Sequence, residues 1–139
     1  MILDEIVKQS KNLLDAQPRA KFFGVLEQPK TNLICEVKLK SPTHPEPFID
    51  NPQDMFDIYK RAGVDGISVV TNDDFFGGSN DLVLQAQATG LPVLRKDFII
   101  ETRQIGEVKA DALLLIVRIV SPDILRELVN TCLKLDIEP

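Results

Sequence analysis

The sequence predicts an α/β fold of the (β/α)8-barrel type, here only a partial barrel of about four strand–helix units behind an N-terminal helix. Three observations predict it. Short apolar, β-rich segments alternate with helical periodicities in the order helix, then four strand–helix pairs, the pattern of a parallel sheet with helical crossovers. Charged residues gather at the C-terminal ends of the strand segments, at Glu36, Lys38 and Lys96, where such barrels place their chemistry. No GxGxxG or GxxxxGK[ST] follows any strand, which leaves a nucleotide-binding doubly wound sheet without support. At 139 residues the chain holds one core but is well short of the ~250 residues of a complete barrel.

Taken in order, Met1 to Leu14 places Ile2, Leu3, Ile6, Val7, Leu13 and Leu14 near helical spacing and reads as an amphipathic helix. Asp15 to Asn32 is a connector with a short helical turn near Phe22–Leu26. Leu33–Leu39 is the first strand, and the Pro-rich stretch Ser41–Pro52 is a loop. Asn51 is placed to cap the next helix, with Pro52 in its first turn, Met55, Ile58, Tyr59 and Ala62 on one face, and Gly63 as its stop. Gly66–Val70 is a buried strand and Thr71–Gly78 a loop. A helix from about Ser79 to Thr89 ends at Gly90, Pro92–Lys96 is the third strand, and Glu101–Lys109 a short helix. Ala112–Val117, apolar without alternation, predicts a strand covered on both faces. Ser121 and Pro122 open a last helix with Leu125, Leu128, Val129 and Cys132 as its inner stripe. The whole reads as a single partial barrel domain, 1–32 its helical extension and 33–139 its units one to four.

Composition excludes several functions. The net charge is −5, with no block of like charge, which argues against nucleic acid or an anionic membrane as main partner. No apolar run approaches the ~20 residues of a membrane span, and the N-terminus lacks a signal-peptide pattern. Cys35 and Cys132 sit in apolar contexts without metal-ligand spacing, so buried thiols of a cytoplasmic protein are expected. The single histidine, His44, lies in a loop and reads as a surface residue; a Ser-His-Asp triad or multi-histidine metal site has little to draw on.

Alternation along the third strand puts Leu94, Lys96 and Phe98 on one face and Val93, Arg95 and Asp97 on the other. A lysine between two apolar neighbours needs a partner or a task. On the first strand Glu36 and Lys38 share a face, with Cys35, Val37 and Leu39 turned to the helix-covered side. Two readings stand at this point. One is a structural ion pair or solvated strand ends. The other is a convergent Glu/Lys/Lys set suited to carbonyl or carboxylate substrates, in which crowding and partial desolvation make a lysine a usable general acid. In Thr71–Ser79, Asp73 and Asp74 read as solvated carboxylates rather than a metal site. Phe75 and Phe76 fit either a core or, for Phe76, an aromatic pocket wall.

Glu36-Val37-Lys38, Lys40-Ser41-Pro42, Asp65 to Thr71, Phe75-Phe76-Gly77-Gly78-Ser79, Leu94-Arg95-Lys96-Asp97-Phe98-Ile99 and Leu114 to Val117 occur in that order. Together they closely resemble indole-3-glycerol phosphate synthase, a TIM-barrel enzyme of tryptophan biosynthesis, and Ile2 to Val7 is similar to that family's extra N-terminal helix. The resemblance implies a cytoplasmic carboxy-lyase with no metal and no organic cofactor. Its phosphorylated small-molecule substrate is 1-(2-carboxyphenylamino)-1-deoxyribulose 5-phosphate, closed to indole-3-glycerol phosphate with loss of carbon dioxide and water. By motif, Lys96 matches the general acid, Lys38 the strand-one lysine that contacts substrate, and Glu36 the carboxylate that orients both. Ser41 and Pro42 match the mobile first loop over the substrate, and Phe76, Phe98, Leu114 and Ile116 the pocket around the anthranilate ring.

The chain departs from the family in places. It stops at Asp136–Pro139, where the family's fifth strand begins, before the later catalytic glutamate, the asparagine and the phosphate-binding loops. The segments before strand one and between Gln104 and Ala110 are shorter, and Thr43-His44-Pro45-Glu46-Pro47 stands where many relatives carry a Ser-Lys-Gly-type loop. Four strands cannot close a barrel, so the 139 residues alone are expected to lack synthase activity. The alternative expectation is a non-catalytic half-barrel that associates through its open edge with itself or with a complementary chain.

Overall fold

The computed structural model describes residues 4, 5, 8, 21–47 and 49–139. Of the predicted first helix, residues 4, 5 and 8 are helical and the remainder lies outside the described residues. Four parallel strands form one sheet in sequence order: β1 (Ile34–Val37), β2 (Gly66–Val70), β3 (Val93–Lys96) and β4 (Ala112–Leu113). Parallel neighbours need crossovers. These are α2 (Pro52–Ala62), then α3 (Asp73–Phe76) with α4 (Asn80–Gln87), then a 3-10 helix at Thr102–Glu107. A short α1 (Lys21–Leu26) precedes the sheet and α5 (Pro122–Lys134) follows β4. Beyond α5, Glu138 forms a parallel bridge to Ala112, with Leu113 N–H donating to the Glu138 carbonyl at 2.8 Å. A fifth parallel position thus opens beside β4. The architecture is that of a partial (β/α) barrel.

Register decides the faces. Cys35, Ile67 and Val93 align across β1 to β3, as do Val37, Val69 and Arg95. That face packs on the helices: Val37, Ile67, Val69 and Val93 are fully buried against Phe56 of α2 and Leu82, Val83 and Ala86 of α4, with Cys35 and Leu39 at the margin. Each such side chain contributes about 1.5–3 kcal/mol by leaving water. A second cluster joins Leu113, Ile99 and Ile105 to Leu128 and Cys132 of α5 and to Ile137. Burial pushes the Cys132 thiol up to about 12. The inner stripe of α5 is the expected one, and Ser121 caps it by accepting from the Ile124 N–H.

Three local expectations need correction. The inner residue of α2 is Phe56, helped by Met55 and Tyr59, while Ile58 is 44% exposed and Ala62 also faces out. The bulkiest apolar side chain sets how the helix turns toward the sheet. The stretch Thr71–Gly78 is not all loop: Asn72 accepts from the Phe75 N–H and Gly77, at φ 64°, closes one helical turn. Ala112–Val117 is a strand for only two residues, because the segment leaves the ladder after Leu114 and turns into a 3-10 helix at Val117–Ile119.

The N-terminal ends of the strands are closed by α1. A Cβ on Gly66 would meet the Phe22 ring at 3.2 Å, with Pro92 O and Ile34 also within contact. Phe22, itself buried, therefore packs over Gly66 at the start of β2. The Glu138 carboxylate holds this helix, accepting from the N–H groups of Phe22 at 2.8 Å and Phe23 at 2.6 Å. Asp65 fastens the start of β1 by accepting from Leu33 N–H at 3.0 Å and pairing with Lys30, and these partners hold its carboxyl below the usual range.

A group with a depressed folded-state pKa contributes stability above its unfolded value and loses it as pH falls through the folded one. Asp65→Asn is therefore expected to lower the melting temperature near neutrality, the gap to wild type closing as pH drops below ~4. A gap constant across that range contradicts the assignment. At Gly78 a Cβ would sit 2.1 Å from the Val70 carbonyl oxygen, whereas nothing lies within 4 Å of Gly106. Gly78→Ala should cost about 1–3 kcal/mol in urea unfolding and Gly106→Ala much less. Equal effects would show that the close approach is absent.

Candidate active site

Glu36, Ser68, Leu94 and Ala112 stand in one row across the sheet, and Val70 and Lys96 align in the next row toward the strands' C-terminal ends. All belong to the face opposite the helix-packed one. The sequence alternation that turned Val37, Val69 and Arg95 to the helices leaves the charges here. Lys96 Nζ donates to Glu36 Oε2 at 2.5 Å, and Lys38 Nζ lies 3.9 Å from Glu36 Oε1. One carboxylate thus receives two ammonium groups and joins β1 to β3 across β2. All three side chains are about one-third exposed, at 33%, 36% and 37%, so they are reachable from solvent. The trio carries a net positive charge, an environment for an anionic or carbonyl-bearing ligand. Tyr59 of α2 fixes the backbone beneath it, its hydroxyl donating to the Glu36 carbonyl at 2.9 Å; burial, foremost, raises the phenol's pKa.

The segments that follow β2 and β3 bring three aromatic rings together. The Phe98 ring meets Phe75 edge-on at 6.3 Å and Phe76 at 6.4 Å with a 33° tilt. Phe75 and Phe98 are exposed and Phe76 half-buried, so neither residue of the Phe75–Phe76 pair fills the core. Lys40 N–H donates to the Phe76 carbonyl at 3.2 Å, which ties the first loop to the second. In that first loop Ser41 and His44 form an antiparallel bridge, with the Ser41 and Thr43 hydroxyls 3.1 Å apart and Pro42 exposed at the turn. Leu114 and Ile116 are half-buried beyond the end of β4, and Leu114 N–H donates to the Arg95 carbonyl at 3.0 Å. The structure therefore brings Glu36, Lys38 and Lys96 together, groups Phe76 with Phe98, and places Ser41, Pro42, Leu114 and Ile116 on the segments that follow β1 and β4.

Sequence reasoning missed the polar network behind Lys96. Arg95 is 1% exposed. Its Nε donates to Thr71 Oγ1 at 3.1 Å, Nη1 to the Gln104 carbonyl at 2.7 Å and Nη2 to Glu107 at 3.0 Å, and Asp97 lies 3.4 Å from Nη2. The signal was available. Alternation puts Arg95 on the helix-covered face, where a guanidinium demands several partners.

A family model for indole-3-glycerol phosphate synthase matches residues 3–139. The chain belongs to that family. It is similar to the indole-3-glycerol phosphate synthase of Aquifex aeolicus strain VF5, 36% identical over 141 residues that cover 99% of this chain and 52% of the relative. The synthase of Staphylococcus aureus strain JH1 is likewise 36% identical, covering 99% of this chain and 60% of the relative. That of Lachnoclostridium phytofermentans is 36% identical over 133 residues, covering 91% and 49%. The chain thus spans about half the length of the curated relatives it matches. No helix among the described residues is long and apolar enough to cross a membrane.

The geometry ranks the two ion pairs. A double-mutant cycle on Glu36→Gln and Lys96→Met is expected to give a coupling of about 1 kcal/mol, and the Glu36/Lys38 cycle less. Urea unfolding reads both, and a larger Lys38 coupling would contradict the arrangement.

Proposed function

We propose that this chain carries the acid chemistry and aromatic wall of an indole-3-glycerol phosphate synthase. The observation that supports the reading best is the Glu36 carboxylate shared by Lys96 at 2.5 Å and Lys38 at 3.9 Å at the C-terminal strand ends. The proposed substrate is 1-(2-carboxyphenylamino)-1-deoxyribulose 5-phosphate. Its anthranilate ring would lie against Phe76 and Phe98, with Leu114 and Ile116 on the far side and the Ser41–Pro42 turn over it. Its negative charge suits the net positive mouth. As the ring carbon attacks the ribulose carbonyl, Lys96 gives a proton to the carbonyl oxygen, which would otherwise become an alkoxide. Loss of carbon dioxide restores the aromatic ring. The new hydroxyl then takes up a proton and leaves as water while the neighbouring ring CH₂ releases a proton, which forms the indole double bond. Lys38 holds the substrate's anionic oxygens and can serve the later proton transfer, while Glu36 keeps both ammonium groups at the mouth. None of these steps calls for a metal or an organic cofactor.

A second reading has its own support. Among the described residues β1 has no strand neighbour on its outer side, and an unpaired edge of this kind recruits another strand. On this reading the chain docks against a complementary half-barrel or a second copy. Sedimentation of the 139-residue chain distinguishes a monomer from a dimer.

Turnover tests the first reading. With the chain joined to strands five to eight of the Aquifex aeolicus relative, the carboxyphenylamino substrate is expected to close to the indole product. Lys96→Ala should slow it ~10²–10⁴-fold while substrate binding is largely retained. An unchanged rate would remove Lys96 from the acid role.

A further inference from the structure

Lys96 stands between the two residues of β3 and its turn that are most heavily bonded on the other face. Asp97 Oδ2 accepts from the Thr71 hydroxyl at 2.7 Å and faces Arg95 Nη2 at 3.4 Å, while Oδ1 accepts from the Phe98 N–H at 2.8 Å. The carbonyl of Lys96 itself accepts from the Thr71 N–H at 3.0 Å. Thr71 is 5% exposed and is the first residue after β2, on the segment that leads to Phe75 and Phe76. Arg95 extends the same set of bonds to Gln104 and Glu107 on the 3-10 helix beyond β3. One hydroxyl, one guanidinium and one carboxylate therefore fix the backbone on both sides of Lys96, the N–H of Phe98 and the start of the Phe75–Phe76 loop. No member of the set shares the face that carries Glu36 and Lys96.

From this we infer that Thr71, Arg95 and Asp97 form a positioning unit: they aim the Lys96 ammonium at Glu36 and hold Phe98 against Phe76, without touching substrate. The inference rests on the proposed synthase reading for its effect on turnover, but not for its effect on Lys96. A buried arginine sharing a hydroxyl with a carboxylate has little freedom to shift, because any movement of the strand end leaves a charge or a donor unpaired. Thr71 is the informative member. Replacing its hydroxyl by a methyl keeps the volume and β-branched shape and removes the hydroxyl that bridges Arg95 Nε to Asp97, leaving only their direct 3.4 Å contact.

The test has two arms on Thr71→Val, Thr71→Ser and Asp97→Asn. In the first, lysines of the 139-residue chain are reductively 13C-methylated and the Lys96 signal is followed by NMR, with Glu36→Gln marking its position when unpaired. Thr71→Val and Asp97→Asn are expected to move the signal at least halfway to that mark, and Thr71→Ser to leave it near wild type. A signal that stays at the wild-type position in both disruptive variants overturns the inference, whatever the protein's activity. In the second arm, the chain joined to strands five to eight is assayed per folded molecule. kcat is expected to fall ~10-fold or more with KM altered far less, and Thr71→Ser to restore it. Loss confined to the folded fraction, with kcat per folded molecule unchanged, reduces the unit to a structural brace and contradicts the proposal. Failure of the synthase reading shows differently: no turnover in the unsubstituted protein, while the NMR arm still decides the positioning claim.

Discussion

The ion pair between Glu36 on β1 and Lys96 on β3 is the interaction on which the mouth depends. It spans β2, so it forms only if all three strands are parallel, adjacent and in the observed register. A slip of one residue in β1 would turn Glu36 and Lys38 to the helix side and Val37 away from it, and a slip in β3 would exchange Lys96 with Arg95. At about one-third exposure the pair adds little to stability. Its consequence is positional: it directs the Lys96 ammonium, beside that of Lys38, at one carboxylate. The hydrophobic clusters under the sheet bear the stability, which leaves the mouth free to be arranged for chemistry.

Two supports keep that arrangement in place. From the helix side, Tyr59 bonds the carbonyl of Glu36 and the Thr71–Arg95–Asp97 set bonds the residues around Lys96. From the strand N-termini, Phe22 packs over Gly66 at the start of β2 and Glu138 holds the helix that carries it. The second support couples residues far apart in sequence, because Glu138 also bridges to Ala112. The pairing beside β4 and the closure by α1 therefore share one residue.

Much of this was legible in the sequence. Asn51 and Ser121 announce their helices through cap chemistry, and the runs Gly66–Val70 and Pro92–Lys96 read as strands. Simple alternation put Glu36 and Lys38 on one face of the first strand and Lys96 with Leu94 and Phe98 on one face of the third, sets that converge if both faces turn to a barrel interior. What escaped depends on contacts between segments distant in sequence. The two-residue length of β4 is set by where Leu114 and Glu138 find partners. The turn at Asp73–Phe76 is too short to show a helical period and rests on one side-chain bond from Asn72. The orientation of α2 is decided by Phe56 packing into the cluster on the helix-covered face, which the periodicity of Met55, Ile58 and Tyr59 does not encode. Arg95 looked like one of three consecutive charges. Alternation already put it on the helix-covered side; what escaped is which groups satisfy it there, since Thr71, Gln104 and Glu107 converge on it from other elements.

The central claim is that Lys96, held by Glu36, meets the carbonyl oxygen of the substrate. The most direct measurement is a crystal structure of these residues in a completed barrel, bound to the substrate analogue in which that carbonyl is reduced to an alcohol. The account predicts Lys96 Nζ within about 2.6–3.2 Å of the alcohol oxygen, with the anthranilate ring against Phe76 and Phe98. An analogue whose alcohol is contacted by Lys38 alone, or whose ring lies away from the aromatic group, would contradict it.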